Sequence, residues 1–404
     1  MPSTVRMTDP PATAVRPEPP SGSPSGLDLD RLAGHLAAHR PDLLTGPLRA
    51  ELIAGGRSNL TYLVQAGERE FVLRRPPLGH VLATAHDMGR EFQVISALAP
   101  TGVPVPATLL HCADETVLGA PFYLMERVPG VVYRNRSQTD PLTPAQRREL
   151  ALVMMDVLAT LHTVDPAAVG LADFGRPEGF LARQVRRWGG QLDRSRSRPL
   201  PRIDELRERL AASAPDGRNA GRIVHGDYRL DNLIAVCEPP TRDGGPEIGT
   251  VAVSLGGVGP ANQGDRLPTG ADGSATGTVA IRAVLDWEMA TLGDPLADLG
   301  LLLTYWDVLG DSDAADDNPV ADGLGPRAGF PTGAELLDRY AARSDVDVGP
   351  LDWHVALGCF KLAVICEGIH YRHTLGQTVG EGFDRIGALV DPLVAYGLAA
   401  FRRV

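Results

Sequence analysis

The chain has 404 residues, 43% of them hydrophobic and 22% charged, enough apolar material for a large core and the profile of a water-soluble protein. Its net charge of −11 argues against a nucleic-acid footprint, which needs a basic surface. All 39 basic residues except Lys361 are arginine, so no Gly-Lys-[Ser/Thr] phosphate loop exists and Schiff-base chemistry would rest on one lysine in an apolar helical context.

Met1 to Gly26 is rich in Pro and Ser without an apolar stretch, and reads as a disordered tail rather than a signal peptide. No apolar run reaches the roughly 20 residues that span a bilayer. Cys112, Cys237, Cys359 and Cys366 lack metal or disulfide spacing and read as reduced thiols, so a cytoplasmic protein without a membrane partner is expected.

In chain order, leucines 29, 32 and 36 predict a helix over Leu27–His39, with Asp28 or Asp30 as its cap. Three strands follow, at Leu48–Ala54, Leu60–Ala66 and Glu70–Arg75, as an antiparallel meander. A helix is predicted over Ala85–Leu98, stopped by prolines 100, 104 and 106, then strands at Thr108–Cys112 and Phe122–Arg127. From Thr143 the period becomes helical, with candidates at Leu150–His162, Phe180–Trp188, Ile203–Leu210, Pro295–Tyr305, Ala334–Ala342, Trp353–His373 and Arg385–Phe401. The expected fold is therefore α+β in two lobes. It has an N-terminal strand-rich lobe over residues 27–128 and a mainly helical C-terminal lobe over residues 129–404, interrupted by low-complexity insertions at about 238–277 and 310–333.

The chemistry concentrates in His225-Gly226-Asp227-Tyr228-Arg229-Leu230-Asp231-Asn232, which follows a short apolar run, and in Leu285-Asp286-Trp287-Glu288, which ends another. An Asp and an Asn on one loop, with an Asp at the end of a neighbouring strand, offer a base and two oxygen ligands for a hard cation such as Mg²⁺. Taken singly, Asp227 and Asn232 read more readily as turn residues and Asp286 as a cap; the order and spacing together reverse this in favour of the catalytic reading. The interval from Asn232 to Asp286 is about threefold longer than the 15–20 residues a hairpin needs, so a polar excursion is expected within it.

These motifs resemble the aminoglycoside phosphotransferase family, the small-molecule branch of the protein-kinase-like fold. The likeness runs from about Leu48 onward and looks strongest to the kinase-like domains attached to acyl-CoA dehydrogenases. That finer likeness rests on Gly55-Gly56-Arg57-Ser58-Asn59-Leu60-Thr61-Tyr62, Val72-Leu73-Arg74-Arg75-Pro76-Pro77 and the run from Asp286 to Leu299. The resemblance implies a kinase using ATP and Mg²⁺, with Asp227 as base and Asn232 and Asp286 as metal ligands. Gly55, Gly56, Ser58 and Asn59 would then cover the nucleotide, and backbone groups from Glu126 to Val128 would meet the adenine. Arg74 stands where most kinases carry a lysine, with Glu91 as its partner. Arg229 is either a cation over the transferring phosphate or part of an ion pair. His225, Asp294 and Asp298 are expected to brace and tether the loop.

Glu367, Arg372 and His373, on a late helix, are either substrate contacts or an ordinary wet face. The implied acceptor is a hydroxyl on a small molecule, with a hydroxyacyl-CoA or hydroxy acid suggested by the subgroup. An antibiotic or amino alcohol is the alternative within the family, and a nucleotide-binding regulator without transfer activity the alternative outside it.

Overall fold

The computed structural model describes residues 24–53, 59–78, 87–217, 219–238, 278–310, 323–377 and 382–401. Two compact units emerge: one runs through Phe92 and takes in Thr108–Arg127, and the other comprises Gln93–Ala107 and the chain from Val128 onward.

The first unit contains α1 (Leu29–His39), β1 (Leu48–Leu52), β2 (Leu60–Ala66), β3 (Arg69–Arg75) and the start of α2 (Met88–Leu98). It continues with β4 (Thr108–Cys112), a single helical turn, α3 (Glu115–Leu118), and β5 (Phe122–Glu126). All strands pair antiparallel in the order β1-β2-β3-β5-β4. Alternation decides which face is buried: Tyr62, Val64 and Ala66 on β2 point inward, and Leu32 and Leu36 of α1 join Phe71, Leu73, Phe122 and Leu124 in the same core. The α1 cap is Asp28, whose carboxylate accepts the Arg31 N–H at 3.0 Å. The connection between β4 and β5 holds α3, which Gly119 ends in the left-handed conformation at φ 81°.

In the second unit, α4 (Arg136–Thr139) precedes α5 (Pro144–Thr163). The latter opens with Pro144 and a reciprocal cap between Thr143 and Gln146, so it starts six residues before its predicted apolar stripe. Next come α6 (Phe180–Ser195), α7 (Ile203–Ala212), and two hairpin-like pairs made by β6 (Arg222–Val224) with β9 (Thr291–Gly293) and β7 (Leu233–Cys237) with β8 (Val279–Val284). The chain then forms α8 (Leu296–Leu303), a wide π-type turn at Thr304–Leu309, α9 (Gly333–Ala341), α10 (Asp352–Thr374) and α11 (Val390–Ala400). Nearly all of the predicted excursion after Asn232 lies outside the described residues. The described part of the second insertion is folded, not loose: Leu324, Ala328 and Phe330 are buried, and the Trp306 indole donates to the Pro331 carbonyl at 2.9 Å.

The core of this unit is built from α6, α7, α10 and α11. Helices α8 and α10 approach closely because neither carries a Cβ at the crossing. A Cβ on Gly300 would lie 2.4 Å from the His354 carbonyl carbon, and one on Gly358 would lie 2.5 Å from the Thr304 hydroxyl. His354 is buried there, and neither ring nitrogen has a hydrogen-bond partner among the described residues. Burial pushes its pKa from the ordinary 6.5 down to about 4. Between those values the unfolded chain binds more protons than the folded one, so stability falls as the pH drops from about 6.5 to about 4, by up to about 3 kcal/mol. Replacing His354 with Leu should therefore flatten the pH dependence of the melting temperature in that window without lowering stability at pH 7. Identical acid slopes in both proteins would count against this placement of His354.

Candidate active site

Strand β6 delivers the chain into His225-Gly226-Asp227, and the loop is held from several sides. The Asp298 carboxylate, in the first turn of α8, accepts the backbone N–H of His225 at 2.7 Å and of Gly226 at 2.8 Å. It also faces His162 Nε2 at 3.2 Å, whose Nδ1 lies 2.7 Å from the Tyr340 hydroxyl. Burial by itself raises the Asp298 pKa, but the bond and charge of His162 and the donors of His225 hold it below its ordinary value. Gly226 has φ 85°, and a Cβ there would sit 2.8 Å from both the Cβ and the carbonyl oxygen of Met289, so glycine is required.

His225 braces the loop, as expected. Its Nδ1 accepts the Asp227 N–H at 3.2 Å, which leaves Nε2 to carry the hydrogen and donate to the Leu285 carbonyl at 2.8 Å. The ring rests against Trp287, with centroids 4.8 Å apart. Asp294, also expected as a structural residue, caps the start of α8 by accepting the Leu296 N–H at 3.0 Å.

The Asp227 side chain is one-quarter exposed. Asn232 Nδ2 donates to the Asp227 carbonyl at 2.8 Å and lies 3.3 Å from its Oδ2, while the Tyr305 hydroxyl lies 3.4 Å from Oδ1. Register brings the other acid close to this loop: Leu233 pairs with Val284, and the Leu285 N–H donates to the Asn232 carbonyl at 2.8 Å. Asn232 and Asp286 thus stand at the same end of the β7–β8 hairpin. Asp286 adopts the left-handed conformation at φ 65°, uncommon for a residue with a Cβ and a form of strain that concentrates at functional sites.

Arg229 is engaged in an ion pair: its Nη2 lies 2.6 Å from Asp231 Oδ2, and Asp231 also faces Arg134 Nε at 3.2 Å. The guanidinium stacks over the Tyr305 ring at 4.7 Å from its centroid, with Nε 3.7 Å from Asp227 Oδ2.

Within the first unit the expected Arg74–Glu91 pair forms, with Nε 3.0 Å from Oε2 and Glu91 almost fully buried. The Tyr123 hydroxyl donates to the same carboxylate at 2.8 Å. Asn59 was expected to cover the nucleotide; it is buried, and its Nδ2 donates to Glu91 at 3.0 Å, which makes it a brace of this pair. Gly55, Gly56 and Ser58 lie outside the described residues. Glu126 is the exposed last residue of β5, and Val128 opens the second unit.

The three candidate substrate contacts on α10 do not join Asp227. Glu367 is wholly buried and its carboxylate is occupied by the Ser197 N–H and hydroxyl and by Arg198 Nε, at 2.8–3.0 Å, so it ties α10 to the chain after α6 and corrects the expectation of a substrate contact. The α10 residue that does reach the loop is Lys361, whose Nζ donates to the Gly226 carbonyl at 2.6 Å. Arg372, which is exposed, and the half-buried His373 lie eleven and twelve residues further on, about 16–18 Å along the helix. Tyr305 and His162 are the partners that no sequence pattern singled out. The only hint of Tyr305 was its place at the end of the apolar Leu296–Leu303 stripe, where the π-type turn redirects it.

Comparison with known proteins places the chain in a phosphotransferase family. The family profile described as "Phosphotransferase enzyme family" matches residues 49–241 and 276–336, and the chain belongs to that family. It is 30% identical over 388 residues to acyl-CoA dehydrogenase family member 11 of Rattus norvegicus, a match covering 93% of this chain but 44% of that protein, so the chain spans less than half the length of this relative. Among solved structures, an inferred aminoglycoside phosphotransferase from Ralstonia eutropha JMP134 is 28% identical with a TM-score of 0.70, covering 93% of this chain and 98% of that one. A spectinomycin phosphotransferase solved with ADP and spectinomycin shares the fold, at 13% identity and a TM-score of 0.52, covering 92% of this chain and 98% of that one. The architecture is accordingly the α+β bilobal kinase-like fold. No described helix is long and apolar enough to cross a membrane.

Removing the Asp298 carboxylate would orphan buried donors on His225, Gly226 and His162 together. Asp298→Ala should cost about 3–5 kcal/mol of stability, read as a shift of the denaturant midpoint. A shift under about 1 kcal/mol would mean the loop holds its shape without this tether.

Proposed function

We propose that this protein transfers the γ-phosphoryl group of ATP to a hydroxyl of a small molecule, with Asp227 as the base that orients the hydroxyl and accepts its proton. The observation that carries this reading is the Asp227 carboxylate itself: partly open to solvent, yet fixed by Asn232, by Tyr305 and by a loop whose backbone is pinned to a buried carboxylate. Fixing the base in advance is the form of catalysis that phosphoryl transfer asks of a protein, since the reaction is mostly positioning and charge neutralisation.

Magnesium fits the donor set. The Asn232 amide oxygen and the Asp286 carboxylate are hard oxygen ligands at one end of a hairpin, and Mg²⁺ takes few protein ligands beside phosphate and water. Those two residues would hold it, and when bound it would neutralise charge on the phosphates. In this reading Arg74, held by Glu91, contacts the nucleotide phosphates, Gly55, Gly56 and Ser58 cover them, and backbone groups at Glu126 and Val128 meet the base. The structure of a spectinomycin phosphotransferase of the same fold in complex with ADP supports an adenine nucleotide.

For the acceptor we favour a hydroxyacyl compound over an aminoglycoside or amino alcohol. Beside Asp227 stand the Arg229 guanidinium and the Tyr305 ring, which with Leu230, Leu302, Trp306 and Leu324 line a small hollow of about 20 Å³. A guanidinium beside the base suits an acceptor that carries an anionic group, whereas a polycation would meet an arginine there. The similarity to a protein named for acyl-CoA dehydrogenase supports the same class.

The test is acceptor-dependent ADP release with Mg-ATP across hydroxyacyl-CoAs, hydroxy acids, amino alcohols and aminoglycosides. Asp227→Ala should lower turnover at least 100-fold while retaining nucleotide binding. Asp286→Ala should weaken Mg-ATP binding itself, seen by calorimetry. Wild-type behaviour in both variants would remove the assigned site, and release only with aminoglycosides would overturn the acyl reading.

A further inference from the structure

The chain carries a single lysine among 39 basic residues, and that lysine sits in the second unit's interior against the loop just described. Lys361 is 7% exposed, and its Nζ makes a 2.6 Å bond to the Gly226 carbonyl, the one oxygen it donates to among the described residues. Around it are the Met289 sulfur at 3.8 Å and the Trp188 ring, whose centroid is 5.3 Å away.

The carbonyl of Gly226 and the N–H of Asp227 belong to one peptide group. Its N–H is donated to His225 Nδ1, and its oxygen is taken by Lys361. That peptide plane is therefore fixed at both ends, and its rotation is what would swing the Asp227 side chain. The His225–Asp227 bond is local to the loop, whereas Lys361 reaches it from α10, 135 residues away in sequence. The charges near the ammonium are Asp227 and Asp298, which favour it, and Arg187 and Arg229, which oppose it; burial outweighs them and draws its pKa down.

Arginine serves every other cationic position in this sequence, including exposed ion pairs and the Glu91 partner. A guanidinium is a planar fork with five donors, suited to carboxylates, while an ammonium is a compact point donor. The Lys361 ammonium, with a thioether and an indole beside it, meets a single carbonyl acceptor, a demand that suits the second.

We infer that Lys361 is a positioning residue, whose ammonium fixes the Gly226–Asp227 peptide so that the Asp227 carboxylate faces the acceptor, and that this position requires lysine's shape as well as its charge. The inference rests on the reading of Asp227 as the base. The geometry further implies that the effect falls on turnover rather than on nucleotide affinity, because Lys361 lies against the loop's backbone and bonds neither Asn232 nor Asp286.

Lys361→Arg and Lys361→Met are to be compared with the native chain for kcat, KM for ATP and melting temperature, with Asp227→Ala as the inactive control. Both variants should lose at least tenfold in kcat, with KM for ATP within twofold and the protein folded at the assay temperature. Full kcat in Lys361→Arg would overturn the requirement for lysine. Loss that simply follows the unfolded fraction would reduce Lys361 to a structural brace. Should both variants fail to fold, the native chain supplies the answer: lysine labelled with ¹³C at Cε gives one resonance, which should be shifted from the free amino-acid value and should move again in Asp227→Asn. A resonance at the free value, unmoved by that substitution, would refute the placement. Native transfer activity that survives Asp227→Ala would sink the reading of the base instead, a result distinct from failure of the lysine variants alone.

Discussion

One buried carboxylate governs the geometry of the candidate site. Asp298 sits at essentially zero exposure in α8 and collects the two backbone N–H groups that open the His225-Gly226-Asp227 loop, together with His162 from α5. A charge at that depth is tolerable only because every one of these donors points at it, and the donors in turn are satisfied only while it remains there. The loop's unusual backbone, with glycine at positive φ against Met289, follows from meeting that acceptor. His225 then passes the constraint on through Leu285, between the end of β8 and Asp286.

The first unit solves a comparable problem on a smaller scale. Glu91 is buried, and Arg74, Asn59 and Tyr123 converge on its two oxygens from β3, from the residue preceding β2, and from β5. Breaking one partner would leave part of a buried charge uncompensated, so the pair is held as a network rather than as an isolated salt bridge. The exposed pairs elsewhere, such as Arg196 with Asp204 or Arg202 with Glu205, are solvated and contribute little to stability by comparison.

The near absence of lysine gives the chain an economy of cation types that the structure makes legible. Arginine forms the bidentate pair of Arg339 with Asp156, stacks on Tyr305, and caps carbonyls at Ala328 and Thr139 through Arg147. These are the tasks that a planar fork performs well. The buried carbonyl of Gly226 presents a different demand, a single acceptor in a confined apolar setting, and there the lysine stands.

Much of this was written in the linear sequence. The short strand-like runs of the meander and the leucine stripe of α1 identified the strand-rich unit, because such local patterns encode which residues share a face. The order Asp227, Asn232, Asp286 marked the loop and hairpin, and the tethering role of Asp298 was legible from its place at a helix start. The partners were another matter. Tyr305 meets Asp227 only because α8 widens into a π-type turn, and Glu367 is turned inward because the segment after α6 brings Ser197 and Arg198 to it. Lys361 finds Gly226 across 135 residues because α8 and α10 cross without side chains at Gly300 and Gly358. Composition and spacing fix which residue types are present and which faces they share. Which distant side chain satisfies a buried donor or acceptor is set by how helices pack, and a short-range pattern carries no record of that.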